Sequence, residues 1–156
     1  MRYATEWRDN LQAGRSLIMC GNPGTGKTHL AVGIAKHIMD EGGTALFTRV
    51  IDMIRTVRET YGRDSTRTER QVIAEYARPD LLILDEVGHQ HGSDAERLNL
   101  FDVINARYEQ CRPTLLITNL SLNGLREYLD DRAQDRLREG VGRVLVFDWQ
   151  SQRDKY

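Results

Sequence analysis

The stretch "SLIMCGNPGTGKTHLAVGIAKHIMDE", Ser16 to Glu41, decides how this chain is read. It has three parts. Ser16 to Cys20 is a short apolar run with the look of a strand. Gly21 to Thr28, "GNPGTGKT", fits the pattern G-x-x-x-x-G-K-[ST]. His29 to Glu41 then puts Leu30, Ile34 and Ile38 at helical spacing, with Ala31 and Ala35 beside them, and Gly42-Gly43 closes the helix.

A strand, a glycine-rich loop and a helix in this order make a phosphate cradle. Glycines let the backbone curl and approach an anion with no side chain in the way. Loop N–H groups then converge on phosphate oxygens at a helix N-terminus, where the helix dipole helps. Lys27 neutralises the β- and γ-phosphates, and the Thr28 hydroxyl binds Mg²⁺. The expected nucleotide-binding set is Gly21, Asn22, Pro23, Gly24, Thr25, Gly26, Lys27 and Thr28 with the adjoining His29. An ordinary Gly-rich turn is the alternative, and the flanking strand and helix speak against it.

Outward from this unit, apolar runs alternate with helical patterns. "TALFTRV" (44–50), "DLLILDE" (80–86), "PTLLITN" (113–119) and "RVLVFDW" (143–149) read as further strands. Ile51 to Tyr61, Glu69 to Ala77 and Asp94 to Cys111 read as helices, and Ser121 caps a shorter one. Strands apolar on both faces and separated by helices imply an α/β fold with a five-stranded parallel sheet between helices. The polar "GRDSTRTER" (62–70) is the candidate loop.

Two strand ends carry chemistry. "LLILDE" releases Asp85 and Glu86 at its C-terminal end, where ligands sit in open α/β sheets. Asp85 would hold Mg²⁺ through water, and Glu86 would orient and deprotonate an attacking water. "LLITN" ends in Thr118-Asn119, and Asn119 is a candidate for holding that water or sensing the γ-phosphate. The competing reading makes Asn119 a turn former.

Composition narrows the partners. The chain has 156 residues and a net charge of −1, so any nucleic-acid contact must be local. Its basic residues are three Lys and nineteen Arg; this suits phosphate recognition, although codon composition explains it as simply. Cys20 and Cys111 form no C-x-x-C pattern, which fits buried thiols in a reducing cytoplasm. There is neither a long apolar run nor a signal peptide, so a cytoplasmic location without a membrane is expected.

Together, the phosphate loop (Walker A), the metal strand (Walker B), the sensor strand and an arginine-bearing helix resemble the AAA+ ATPases, P-loop NTPases of the ASCE class. "GNPGTGKTHLA", "DLLILDEVG", "RPTLLITNL", "DRLREG" and "VFDWQSQR" resemble in particular the ATPase domain of DnaC-type bacterial helicase loaders. Transposition helper ATPases of the IstB type share most of these blocks. The resemblance covers nearly the whole chain. It implies ATP and Mg²⁺ as cofactors, with Lys27, Thr28, Asp85, Glu86 and Asn119 in the roles given above. It places an arginine finger at Arg136, which completes a neighbouring subunit's site, with Arg132 in support. It places a tail-borne second sensor at Arg153. It also implies single-stranded DNA contact on the segment "VIDMIRTVRETYGR" (50–63), through Arg58 and Tyr61, with Ser93 as a weaker contributor.

The resemblance thus implies a Mg²⁺-dependent ATPase, slow unless assembled head to tail in the ATP state. Its partners would be ATP and ADP, single-stranded DNA and a replicative helicase. Loaders of this type carry an N-terminal domain that grips the helicase, and they lack a helical lid. Here about one helix precedes the first strand. Residues 1–156 are therefore expected to form a single AAA+ domain, an excised core or a stand-alone form, without that gripping domain.

Several signals stay open. In "LDDRAQDRLREG" (129–140), Asp131, Asp135 and Glu139 fall four apart, as do Arg132 and Arg136, and such like charges repel on a helix. Pairs at three-residue spacing (Arg132 with Asp135, Asp135 with Arg138, Arg136 with Glu139) can offset this. The stripe is either surface charge or a set of arginines reaching outside the fold. Tyr61 with Arg55, Arg58 and Arg63 makes a small basic and aromatic patch, but Glu59 and Asp64 are interleaved, so a half-buried helix end competes with DNA stacking. "HQH" (89–91) reads as a polar loop rather than a metal pair. Phe147 and Trp149 are expected to finish the core, and Tyr3 and Trp7 are candidates for covering adenine. A P-loop small-molecule kinase is the rival from another class. Glu86 beside Asp85 argues against it, as would phosphate release without an acceptor.

Overall fold

Two short helices, α1 (Arg2–Thr5) and α2 (Trp7–Gln12), lead into β1 (Ser16–Gly21). Next come α3 (Lys27–Asp40), β2 (Ala45–Arg49), α4 (Val50–Glu59), α5 (Glu69–Ala77), β3 (Leu81–Asp85), α6 (Asp94–Glu109), β4 (Thr114–Ile117), α7 (Leu122–Tyr128), α8 (Asp131–Gly140) and β5 (Val141–Phe147). The computed structural model describes residues 2–89 and 93–152. The five strands form one parallel sheet in the order β2-β3-β4-β1-β5.

Alternation along the central strands divides the core in two. Ile18, Cys20, Leu82, Leu84 and Leu116 face a layer built from α4, α6, α7 and α8. Leu17, Met19, Leu81, Ile83, Leu115 and Ile117 face α3 and the N-terminal helices. Successive side chains of a strand point to opposite faces, and both faces are covered, so the strands are apolar throughout. The loop after β1 turns toward one layer and the loops after β3 and β4 toward the other. A crevice therefore opens at the C-terminal ends of these three adjacent strands, the usual ligand position in such sheets.

The charge-striped stretch divides where its sequence allows. Leu129 is extended and ends α7. The Asp130 carboxylate then accepts from the Ala133 N–H at 2.7 Å and caps α8. Of the three expected pairs within α8, Arg136 and Glu139 approach, at 3.9 Å. Arg132 instead pairs with Asp130 and lies over the Phe101 ring at 4.4 Å.

Three expectations about peripheral residues are corrected. Tyr3 and Trp7 are buried in the core, and Trp7 packs against Ile38 and Gly43 at the C-terminal end of α3, opposite the phosphate loop. Phe147 is buried, but Trp149 is 45% exposed because it lies beyond the last strand and rests only partly on Phe147. Cys20 is buried as expected, whereas Cys111 is exposed in a left-handed turn just past α6.

Candidate nucleotide site

Gly21 ends β1 and begins the loop. A Cβ there would sit 2.3 Å from the Phe147 carbonyl oxygen, so the approach of β5 excludes any side chain. Gly26 has open space around it but a φ of +93°, which starts α3 from a left-handed residue. Between them, Thr25 Oγ1 donates to the Asn22 carbonyl at 2.8 Å. Lys27 is buried, and its Nζ donates to the carbonyls of Gly21 (2.8 Å) and Asn22 (2.6 Å). Asn22 Nδ2 reaches the carbonyls of Asp148 and Trp149, and the Gln152 N–H donates to the Gly24 carbonyl. The tail after β5 is thereby tied to the loop.

A cavity of about 700 Å³ lies over this loop. Pro23 to His29, Asp85, Glu86 and Asn119 line it. The expected residues from three separate strand ends thus meet in one place. Thr28 Oγ1 donates to Asp85 Oδ2 at 2.8 Å, and Asp85 Oδ1 accepts from the Glu86 N–H at 2.7 Å. Glu86 has a φ of +60°, rare for a side chain of its size. That turn brings two successive carboxylates to one cavity, which a continuing strand would send to opposite faces.

A hydroxyl and a carboxylate at 2.8 Å form a hard-oxygen pair beside a phosphate loop. The pair suits Mg²⁺, which takes few protein ligands and completes its shell with water and phosphate. Among the described residues no cluster of three His, Cys, Asp or Glu forms another metal site. The second histidine of "HQH", His91, lies outside the described residues, and so does Arg153.

Three further residues line the cavity without a part in the sequence reading: His89, Ile117 and Gln152. Gln152 belongs to the quoted tail "VFDWQSQR", so its position beside Arg153 was the available signal. His89 also lines a second cavity of about 290 Å³, on the other side of Glu86, together with Arg49, Arg55 and Tyr128. Arg49 is bonded to Asp52 at 2.7 Å, which raises its pKa, and Glu86 adds to the rise.

The arginines of α8 do not enter this cavity. Arg136 lines a cleft with Gly14, Ser16 and Thr114, at the N-terminal ends of β1 and β4 and so at the opposite end of the sheet. Its Nε donates to Asn105 Oδ1 at 3.0 Å, and its guanidinium lies 4.7 Å from the Tyr108 ring centroid. The DNA candidates come together elsewhere. Arg58 reaches Glu96 at 3.2 Å and the Ser93 hydroxyl at 3.5 Å, joining the end of α4 to the start of α6. Ser93 is also the N-cap of α6, in a capping box with Glu96. Tyr61 is 61% exposed, with its hydroxyl 3.4 Å from Asn99 Oδ1, which removes the half-buried alternative.

Residues 6–137 match the family described as IstB-like ATP binding protein. The chain is similar to the replicative helicase loader DnaC of Buchnera aphidicola subsp. Acyrthosiphon pisum (strain APS), with 34% identity over 152 residues. That match covers 97% of this chain and 61% of the relative, so the chain spans less than two thirds of the loader's length. Its fold is similar to a crystal structure of the DnaC helicase loader, with a TM-score of 0.78 and 24% identity, covering 94% of this chain and 89% of that one. It is also similar to the replication initiator DnaA bound to AMPPCP and single-stranded DNA, with a TM-score of 0.77 and 20% identity, covering 97% of this chain and 46% of that one. The fold shared with these structures is an α/β domain with a five-stranded parallel sheet, here with a phosphate loop after β1.

Proposed function

Because the chain belongs to the IstB-like ATP-binding protein family, we propose that it is the ATP-hydrolysing AAA+ core of a replicative helicase loader. The observation that carries this reading is the meeting of the phosphate loop, the Thr28–Asp85 pair, Glu86 and Asn119 in one cavity. In this reading residues 1–156 are a single AAA+ domain, and its task in the cytoplasm is to grip single-stranded DNA and hold the helicase for loading.

Each residue of the cavity has a part in the chemistry. The loop N–H groups and Lys27 bind the phosphates. Thr28 and Asp85 would hold Mg²⁺, which neutralises charge on the β- and γ-phosphate oxygens when bound. Glu86 takes a proton from the attacking water, and Asn119 holds that water in line. The cationic group that the γ-phosphate still needs comes from the neighbour's Arg136, with Arg132 behind it and Arg153 as the tail-borne sensor. ATP thereby bridges two chains, and hydrolysis releases the bridge.

Glu86→Gln tests the reading. It should keep ATP affinity, trap the assembled form and lower turnover by about 10²-fold or more, the ordinary contribution of a positioned base. A fluorescent ATP analogue and phosphate release measure the two properties, and wild-type turnover would remove Glu86 from its role.

For DNA, Arg58 and Tyr61 flank one surface, and a phosphate would take the place of Glu96 on Arg58. The Arg58→Ala, Tyr61→Ala double variant should weaken oligo-dT binding by tenfold or more, since stacking is worth ~1–3 kcal/mol per base. It should also lessen the salt slope by about one and leave ATP binding alone. Unchanged anisotropy titrations would return these residues to the surface. The alternative reading is a transposition helper of the IstB type acting on duplex DNA, to which the IstB-like match is equally open. Tighter binding of duplex than of single strand would select it.

A further inference from the structure

We infer that Thr118 is a positioning residue for Glu86, holding the turn that aims its carboxylate. The inference rests on the proposed role of Glu86 as the base. Thr118 is 1% exposed at the end of β4, next to Asn119. Its Oγ1 donates to the Val87 carbonyl at 2.7 Å and accepts from the Leu120 N–H at 3.1 Å. On the same segment the Val87 N–H donates to the Ile117 carbonyl at 3.0 Å. Val87, the residue after Glu86, is therefore gripped through both its N–H and its C=O by two successive residues at the end of β4. On the other side of Glu86, the Asp85 carboxylate holds the Glu86 N–H.

These bonds bracket a residue in a strained conformation. A glutamate at φ +60° persists only where its surroundings over-determine it. Here the surroundings are specific: one backbone bond from the Val87 N–H, the Asp85 carboxylate and one buried hydroxyl. β4 is itself locked to β1 at this level, because the Thr118 N–H donates to the Met19 carbonyl at 3.0 Å. Met19 lies two residues before the loop glycine Gly21, so a single line of bonds runs from the phosphate-loop strand through Thr118 to the turn at Glu86. The hydroxyl is the only side-chain member of that line. Without it, the Val87 carbonyl loses its partner in a buried place, and the turn can relax toward an extended form that carries Glu86 off the cavity. A misplacement of about 1 Å can cost roughly 10²-fold in rate.

The test is a set of single variants: Thr118→Val, Thr118→Ala and Thr118→Ser. Hydrolysis is measured at protein concentrations where the rate per chain has levelled off, and ATP affinity is measured with a fluorescent analogue. The two variants without the hydroxyl should lose roughly ten- to a hundredfold in kcat, with KM for ATP within about twofold of wild type. The serine variant should restore kcat, because it returns the hydroxyl without the methyl group. Retained ATP affinity in the valine or alanine variant shows that the fold has survived, and the alanine variant serves if the valine variant fails to fold. Wild-type kcat in either variant would overturn the inference, as would a serine variant as slow as the others or a loss carried by KM. If Glu86→Gln turns over at the wild-type rate, the reading beneath it fails instead, whatever the Thr118 variants do.

Discussion

Replacing Arg136 with Ala should leave ATP binding by the single chain unchanged and lower assembly-dependent hydrolysis by about 10³-fold or more, the scale of a trans-acting arginine. In the single chain this side chain lies at the other end of the sheet from its own phosphate loop. It therefore has no route to the phosphate loop of its own chain, and the proposed finger role requires a neighbour's. It is also occupied, by Asn105, the Tyr108 ring and, more distantly, Glu139. Moving it to a phosphate gives up a hydrogen bond of ~1 kcal/mol and a cation–π contact of ~0.5–1 kcal/mol, which a charge-assisted bond to phosphate can offset. Arg136→Lys should fail as well, because an ammonium cannot reproduce the planar fork. Mixing provides the decisive measurement. Arg136→Ala chains keep a complete site but no finger, and Glu86→Gln chains keep a finger but no base. Each should be nearly inactive alone, and the mixture should recover phosphate release. Hydrolysis by Arg136→Ala at the wild-type rate would sink the assignment, and so would an inactive mixture.

The parts of the site that were legible in the sequence are those whose chemistry constrains side-chain type at fixed spacing. Gly21 and Gly26 are glycine for different reasons, a close carbonyl and a left-handed φ, yet both leave the same mark. Lys27 and Thr28 were read from the phosphate-loop pattern and Asp85, Glu86 and Asn119 from strand ends, and the strand order brings them to one cavity. The helix α8 was less legible. Its spacing suggested three internal pairs, of which Arg136 with Glu139 approaches, but α6 offers the rings of Phe101 and Tyr108 from about thirty residues away in the chain, and Arg132 and Arg136 lie over them. Thr118 was named at its strand end without a role, and Arg107 was not singled out, because their side chains reach mostly main-chain carbonyls. Every residue has a carbonyl, so a sequence gives no sign of which one will be left facing a buried donor.

Arg107 shows how much such a group can carry. Its side chain is completely buried between α6 and the sheet, and its guanidinium donates to five carbonyls: Tyr76, Ala77, Pro79, Asp80 and Pro113. A sixth acceptor is Thr114 Oγ1 at 3.1 Å. Burial, with Arg112 nearby, pulls its pKa down to about 9, so it remains a cation at neutral pH. These acceptors come from the end of α5, the entry to β3 and the entry to β4, which the single planar fork ties together. Arg107→Leu should therefore lower unfolding free energy by roughly 3–5 kcal/mol. Each orphaned carbonyl costs ~1–3 kcal/mol, but removing a buried charge recovers part of its desolvation cost, so the net falls below the sum. Arg107→Lys should lose about half as much, because three donors on one nitrogen cannot span the arc of acceptors. Urea denaturation measures both, and a change below about 1 kcal/mol for Arg107→Leu would contradict the tying role. Below its unfolding midpoint the leucine variant should still bind ATP normally. The bonds it loses lie at the end of α5 and the entries to β3 and β4, whereas Asp85, Glu86 and Asn119 lie at the strand exits. A stable protein with impaired ATP binding would mean that the two ends of the sheet are coupled more tightly than the hydrogen bonds indicate.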